Sequence, residues 1–220
     1  AYIIGKQTYL GLDFITSPDA MIPRKKTEIL GYAALELAHL LANVRGNVHA
    51  LDLCTGCGNV VLALAHLISE YEAIATDVTE EAVALAEKNA KKMGLAHRVK
   101  FFAGDLFAPV ADPDYEHAFD LITCNPPYIA SAHTDKMASE ISHFEPREAF
   151  DGGPFGINLI MRLIREAPKY LKPASWLAFE VGLGQGNSVL RLLEKSTDYQ
   201  RIDKRTDDDG QIRVLMAQTH

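Results

Sequence analysis

VHALDLCTGCG, residues 48–58, reads as a strand running into a tight glycine turn. Val48, Ala50, Leu51 and Leu53 supply the apolar positions of the strand, and the Ala/Leu/Val-rich run from Asn59 to Ser69 follows at once as a helix. In an open parallel sheet, ligands sit outside the carboxyl ends of the strands, so this turn is where a cofactor is expected. Gly56 and Gly58 carry no Cβ and let a ligand approach the backbone. Asp52 interrupts an otherwise apolar strand, and a carboxylate there is expected to act as an acceptor aimed at something.

Two cofactors use such a turn. The dinucleotide fingerprint needs a third glycine, but that place is taken by Val61, and an acid precedes the loop. The pattern D-x-x-x-G-x-G suits S-adenosylmethionine better, because that molecule has no pyrophosphate to cradle and presents an ammonium that Asp52 would help to hold. The competing interpretation is an ordinary strand-to-helix turn with no ligand.

Upstream, residues 1–24 alternate aromatic and aliphatic residues with Gly5, Gly11, Pro18 and Pro23, which suggests a hairpin or extended arm packed on a main domain of residues 25–220. From Lys25 to Val44, apolar residues recur at helical spacing. Downstream, Glu72–Asp77 is a second strand ending in an acid, and Thr79 is an N-cap for a helix with Glu80 and Glu81 in its first turn. Asp77 lies 21 residues past Gly56, a spacing at which a strand-end acid accepts from ribose hydroxyls; a helix-flanking cap is the alternative. Arg98–Phe102 is a third strand, followed by Gly104-Asp105-Leu106-Phe107. There Asp105 is either an acceptor for an adenine amino group, walled by Leu106, or a turn residue.

Phe119–Cys124 is a fourth strand that runs directly into Asn125-Pro126-Pro127-Tyr128. A long loop or lid is expected over Ile129–Gly153, a helix over Gly156–Leu171, and a buried fifth strand over Trp176–Val181. The second glycine-rich turn, Gly182–Gly186, has no acid beside it and reads as structural before a helix over Asn187–Lys195. Tyr199–Asp203 and Ile212–Gln218 are terminal strands joined by Asp207-Asp208-Asp209-Gly210. Strands and helices alternate and end in a hairpin, so the fold class is α/β: a mostly parallel sheet of seven strands with an antiparallel last strand.

At 220 residues and 48% hydrophobic, the chain is long enough to bury one sizeable core. No apolar run reaches the length of a membrane span and no signal peptide is recognisable, which points to a cytoplasmic protein without a membrane partner. A net charge of −7 disfavours a nucleic-acid substrate, a local basic patch aside. Cys54 and Cys57 form C-x-x-C, but only Cys124 remains to complete a zinc site, so no metal is expected and both read as small turn residues rather than a redox pair.

Asn125-Pro126-Pro127-Tyr128 carries the chemistry. An amide or aromatic amine nitrogen is a poor nucleophile because its lone pair is delocalised; something must hold its N–H bonds. The Asn125 side-chain oxygen and the Pro126 carbonyl supply two acceptors, the prolines stiffen the turn, and Tyr128 offers a flat face to a planar group. A rigid surface turn is the bland alternative.

The sequence resembles the protein-glutamine amide methyltransferases of the HemK/PrmC family. The residues that carry the likeness are IPRKKTE (22–28), LDLCTGCG (51–58), ATD (75–77), GDLF (104–107), NPPYI (125–129), EPREAFDGG (145–153) and DGQIRV (209–214), in the family's order. The resemblance implies a Rossmann-like class I S-adenosylmethionine-dependent fold and methyl transfer to the glutamine of the Gly-Gly-Gln motif of peptide-chain release factors. It further implies that Asp52, Cys54, Thr55, Gly56, Cys57, Gly58, Asp77, Asp105 and Leu106 contact the cofactor. Asn125, Pro126, Pro127 and Tyr128 would hold the glutamine amide, with Asn125 also beside the cofactor. Two departures stand out. Lys25 and Lys26 replace the family's usual proline after Arg24, and the chain starts where the family's helical N-terminal domain would end. A trimmed catalytic domain, or a stand-alone enzyme acting on a small molecule, short peptide or nucleobase, both accord with that.

Overall fold

A computed structural model describes residues 4–128 and 156–220. Its centre is β3 (Val48–Leu53), flanked on one side by β4 (Tyr71–Asp77) and β5 (Val99–Ala103), and on the other by β6 (Phe119–Cys124) and β7 (Leu171–Glu180). These five are parallel. The terminal strands β8 (Tyr199–Thr206) and β9 (Ile212–Thr219) pair antiparallel, and β9 slots between β7 and β8, giving the order β5-β4-β3-β6-β7-β9-β8. The antiparallel last strand is thus as expected, and its place inside the sheet is new.

Both faces of the sheet are covered, which is why β6 is buried at every position, its polar residues Asp120 and Thr123 included. One face packs against α1 (Glu28–Arg45), α2 (Asn59–Leu67) and α3 (Glu80–Lys92). The other packs against α4 (Asn158–Tyr170) and α5 (Gly186–Glu194). The helix over residues 25–44 begins three residues later than its periodicity suggests, because Lys25–Thr27 form a single 3-10 turn. The fifth strand begins earlier than expected, at Leu171, with a register irregularity opposite Phe119 and Leu121. The loop expected over 129–153 lies outside the described residues.

Several local choices fix these elements. Thr79 caps α3, its hydroxyl accepting from the Ala82 N–H at 3.3 Å, while Glu80 and Glu81 meet the positive end of the helix dipole. Pro168 in the last turn of α4 removes the N–H that would bond the Ile164 carbonyl. Tyr199 of β8 donates its hydroxyl to that carbonyl at 2.8 Å. At the foot of the sheet, burial pushes the Asp120 carboxyl up, but Lys172, the His49 N–H and Arg45 outweigh it and hold it below its usual range.

Ahead of the sheet, β1 (Lys6–Tyr9) and β2 (Leu12–Ile15) form a small antiparallel hairpin. It is anchored by buried Asn89 of α3, whose amide accepts from the Ile15 N–H at 2.7 Å and donates to the carbonyls of Ile15 and Cys57. That single side chain couples the hairpin to the glycine turn after β3.

Candidate active site

The strand order reverses between β3 and β6, the point at which an open α/β sheet leaves a crevice. A cavity of about 350 Å³ lies there, within the roughly 300–1,000 Å³ of small-molecule sites. Asp52, Cys54, Thr55, Gly56, Asp77, Asp105, Leu106, Asn125 and Pro127 all line it.

Asp52 is only 1% exposed. Its two oxygens each accept a hydroxyl at 2.6 Å, from Thr55 and from Thr123, its register partner on β6. Burial pushes its carboxyl up to about 6, partly offset by those two hydroxyls. Asp77, at the end of β4, accepts from the Gly56 N–H at 2.8 Å, and burial raises its carboxyl too, against the pull of backbone donors including Gly56 and Thr79. The strand-end acid therefore also orders the glycine turn.

That turn contains two functions. Gly56 (φ +55) faces the cavity with open space where a Cβ would stand, the nearest atom being Ala20 Cβ at 4.0 Å. Gly58 (φ +81) does not line the cavity: a Cβ there would sit 3.0 Å from Leu62 and 3.2 Å from Ala86, so it lets α2 start close against α3. Cys57 lies outside the lining as well, packed with Ala20, Ala82 and Leu85, and burial pushes its thiol up to about 12. A thiol so protonated is no redox nucleophile. Cys54 and Leu106 take left-handed φ values of +56 and +47 on the cavity wall, a strain of about 1–2 kcal/mol for each residue with a Cβ.

Asp105, after β5, sits at the mouth, where Arg162 of α4 reaches it at 2.9 Å. The Thr76 hydroxyl donates to the Leu106 carbonyl at 3.1 Å. One wall comes from the segment before α1: Asp19, Ala20, Met21, Pro23, Arg24 and Thr27. Sequence reasoning used part of this stretch as a family signature without bringing it to the cavity. It also missed Thr123, although a polar residue in a strand as apolar as β6 is a signal.

Asn125 follows β6, and its Oδ1 is buried with no hydrogen-bond partner among the described residues. Pro126 and Tyr128 stand outside the cavity lining. The Tyr128 hydroxyl donates to Glu180 at the end of β7 at 3.1 Å, and Glu180 pairs with Arg213 of β9 at 3.3 Å. Burial raises the carboxyl of Glu180 despite the Thr27 hydroxyl and Arg213.

Residues 45–180 match the methyltransferase domain family. The release factor glutamine methyltransferase of Geobacter sulfurreducens is 37% identical over 195 residues, covering 89% of this chain and 64% of the relative. Those of Thermosynechococcus vestitus and Bacillus subtilis are 34% and 30% identical, covering 99% and 100% of this chain and 73% and 75% of theirs. The chain belongs to this methyltransferase family. It spans 64% of the first of these relatives and about three quarters of the others.

Solved structures agree on the fold. The N-terminal domain of human METTL16 in complex with SAH superposes with a TM-score of 0.65 at 16% identity, over 94% of this chain and 75% of that one. A Pyrococcus furiosus methyltransferase gives 0.62 at 18%, over 95% and 89%. The methyltransferase is S-adenosylmethionine-dependent, and its cavity fits that molecule chemically. Among the described residues, the carboxylates of Asp19, Asp52, Asp77 and Asp105 line it, which suits a cation with hydroxyl and amino donors and opposes a pyrophosphate. Among the described residues no group of three His, Cys, Asp or Glu is placed to hold a metal, and no helix is long and apolar enough to cross a membrane.

Proposed function

We propose that this methyltransferase methylates the side-chain amide nitrogen of the glutamine in the Gly-Gly-Gln motif of peptide-chain release factors. The observation that carries the reading is the Oδ1 of Asn125, buried and without a hydrogen-bond partner among the described residues, on a cavity lined by strand-end carboxylates. A buried acceptor without a donor costs about 1–3 kcal/mol, and an incoming amide N–H removes that cost. The names and extent of the relatives support the same acceptor, and the net charge of −7 supports a protein over a nucleic acid. The reading includes a cytoplasmic location, where release factors act.

Asp52 would help to hold the ammonium end of S-adenosylmethionine, Asp77 would accept from its ribose hydroxyls, Asp105 and Leu106 would hold its adenine, and Cys54, Thr55 and Gly56 would line its binding site. Cys57 and Gly58 support this turn from behind. In this reading residues 1–24 are an arm on the catalytic domain, residues 25–220, and of its described part Asp19, Ala20, Met21, Pro23 and Arg24 line the cavity. When bound, S-adenosylmethionine supplies an electrophilic methyl on a sulfonium. Asn125 Oδ1 and the Pro126 carbonyl accept the two amide hydrogens of the glutamine, and Pro127 and Tyr128 keep those acceptors from turning away. Acceptors fixed beforehand stabilise the positive charge that grows on nitrogen, at no cost of reorganisation. The methylated nitrogen is acidic enough to release its extra proton to water, so no strong base is needed.

Transfer of labelled methyl from S-adenosylmethionine into a purified release factor tests this. Label on the Gly-Gly-Gln glutamine is expected, and Asn125→Ala should lower kcat by about 100-fold or more, as loss of one preorganised partner does, while cofactor binding persists. Label only in the small-molecule fraction of a cell extract, or full rate in Asn125→Ala, overturns it.

A further inference from the structure

The second glycine-rich turn, Gly182–Gly186, does more than connect β7 to α5. The Gln185 amide uses both of its donors and its oxygen on one job. Its Nε2 donates to the Tyr128 carbonyl at 2.8 Å and to the Gly156 carbonyl at 3.2 Å, and its Oε1 accepts from the Gly182 N–H at 3.0 Å. Tyr128 and Gly156 are the described residues bordering 129–155.

Gly182 makes room for this arrangement. Its φ lies outside the left-handed region, so its backbone conformation does not demand glycine. A Cβ there would stand 2.5 Å from Gln185 Oε1 and 3.0 Å from Tyr128 Cδ2. Glycine is needed because the Gln185 amide and the Tyr128 ring occupy the space.

The Asn125–Tyr128 turn needs an outside tie for a chemical reason. Pro126 and Pro127 have no N–H, so the turn cannot donate from those positions to a neighbouring strand as β6 does. Gln185 grips its backbone at Tyr128, and Glu180, backed by Arg213, grips the ring through the hydroxyl. Both grips come from the end of β7 and the turn after it.

We propose that Gln185 is a positioning residue for methyl transfer: it holds the Asn125–Tyr128 acceptor turn in its reactive geometry through the Tyr128 carbonyl. This rests on the methyl-transfer reading of that turn.

The test compares the parent chain with Gln185→Met, which keeps the volume but neither donates nor accepts as an amide does. Methyl transfer to a release factor, the affinity for S-adenosylhomocysteine by calorimetry and thermal unfolding are measured on each. The expected result is a kcat lowered tenfold or more, with S-adenosylhomocysteine affinity within twofold of the parent. A folded Gln185→Met with kcat within twofold of the parent overturns the proposal, as does an affinity that falls as much as kcat. If Gln185→Met does not fold, Gln185→Glu carries the test, because it retains the acceptor for Gly182 but sets a carboxylate against two carbonyls. Failure of the parent to methylate a release factor refutes the functional reading instead, so the two failures are separable.

Discussion

Asp52→Asn should make the free protein more stable and its cofactor binding weaker. The Asp52 carboxyl is pushed from 3.8 to about 6 by burial. At roughly 1.36 kcal/mol per tenfold change, that is a cost of about 3 kcal/mol for keeping it ionised in the folded state. The folded value lies above the unfolded one, so the associated stability is complete below the unfolded value and is lost as pH rises through about 6. At pH 7.5 the parent therefore bears the full cost, and the neutral asparagine does not. Thr55 and Thr123 now donate to both carboxylate oxygens; one hydroxyl must turn round to accept from the new amide, at about 1 kcal/mol.

The net gain of about 2 kcal/mol corresponds to a Tm higher by about 4–8 °C in a chain of this size. It should shrink as the pH is lowered through 6. Calorimetry with S-adenosylmethionine should show the opposite cost, at least a tenfold loss of affinity at pH 7.5. The parent's affinity should itself rise between pH 5 and 7.5 as Asp52 ionises; burial also raises Asp77, so the difference between parent and variant isolates the Asp52 contribution. A Tm at pH 7.5 equal to or below the parent's, together with unaltered affinity, would refute the reasoning.

Asp77→Ala should weaken S-adenosylmethionine binding by about 1–3 kcal/mol, the loss of a charged acceptor, and unchanged affinity by calorimetry would remove its ribose role. Tyr199→Phe leaves the Ile164 carbonyl, already deprived of a helical donor by Pro168, without its partner; a stability loss of about 1–3 kcal/mol is expected in urea unfolding. Gly58→Ala combines φ +81 with contacts at 3.0 and 3.2 Å and should destabilise by about 1–3 kcal/mol, read as a lowered Tm. Arg162→Ala breaks an exposed pair with Asp105; since such pairs contribute under about 1 kcal/mol, cofactor affinity should stay within about fivefold, and a larger drop would show that Arg162 touches the cofactor.

How much of this was legible depends on whether the physics is local. The strand, glycine turn and helix from Val48 to Leu67 follow from apolar spacing and residues without a Cβ. The acids ending β4 and following β5 and the N-P-P-Y turn after β6 are placed by the same short-range pattern, because a parallel α/β chain brings every strand's carboxyl end to one edge. Cys57 and Gly58 show the limit of that logic. They belong to the right loops, but only packing decides which residues of a loop face the cavity.

The sequence by itself determined the alternation of strands and helices, and hence which loops form the site. Tertiary structure alone decided that Thr123 faces Asp52, that Asn89 ties in the hairpin across 74 residues, that β9 enters between β7 and β8, and that Gln185 reaches Tyr128 across 57. The reason is physical. Periodicity reports which face of an element avoids water, whereas register and partner choice between distant elements are set by packing and by the need of each buried polar group for a mate, neither of which leaves a mark at any fixed spacing in the chain.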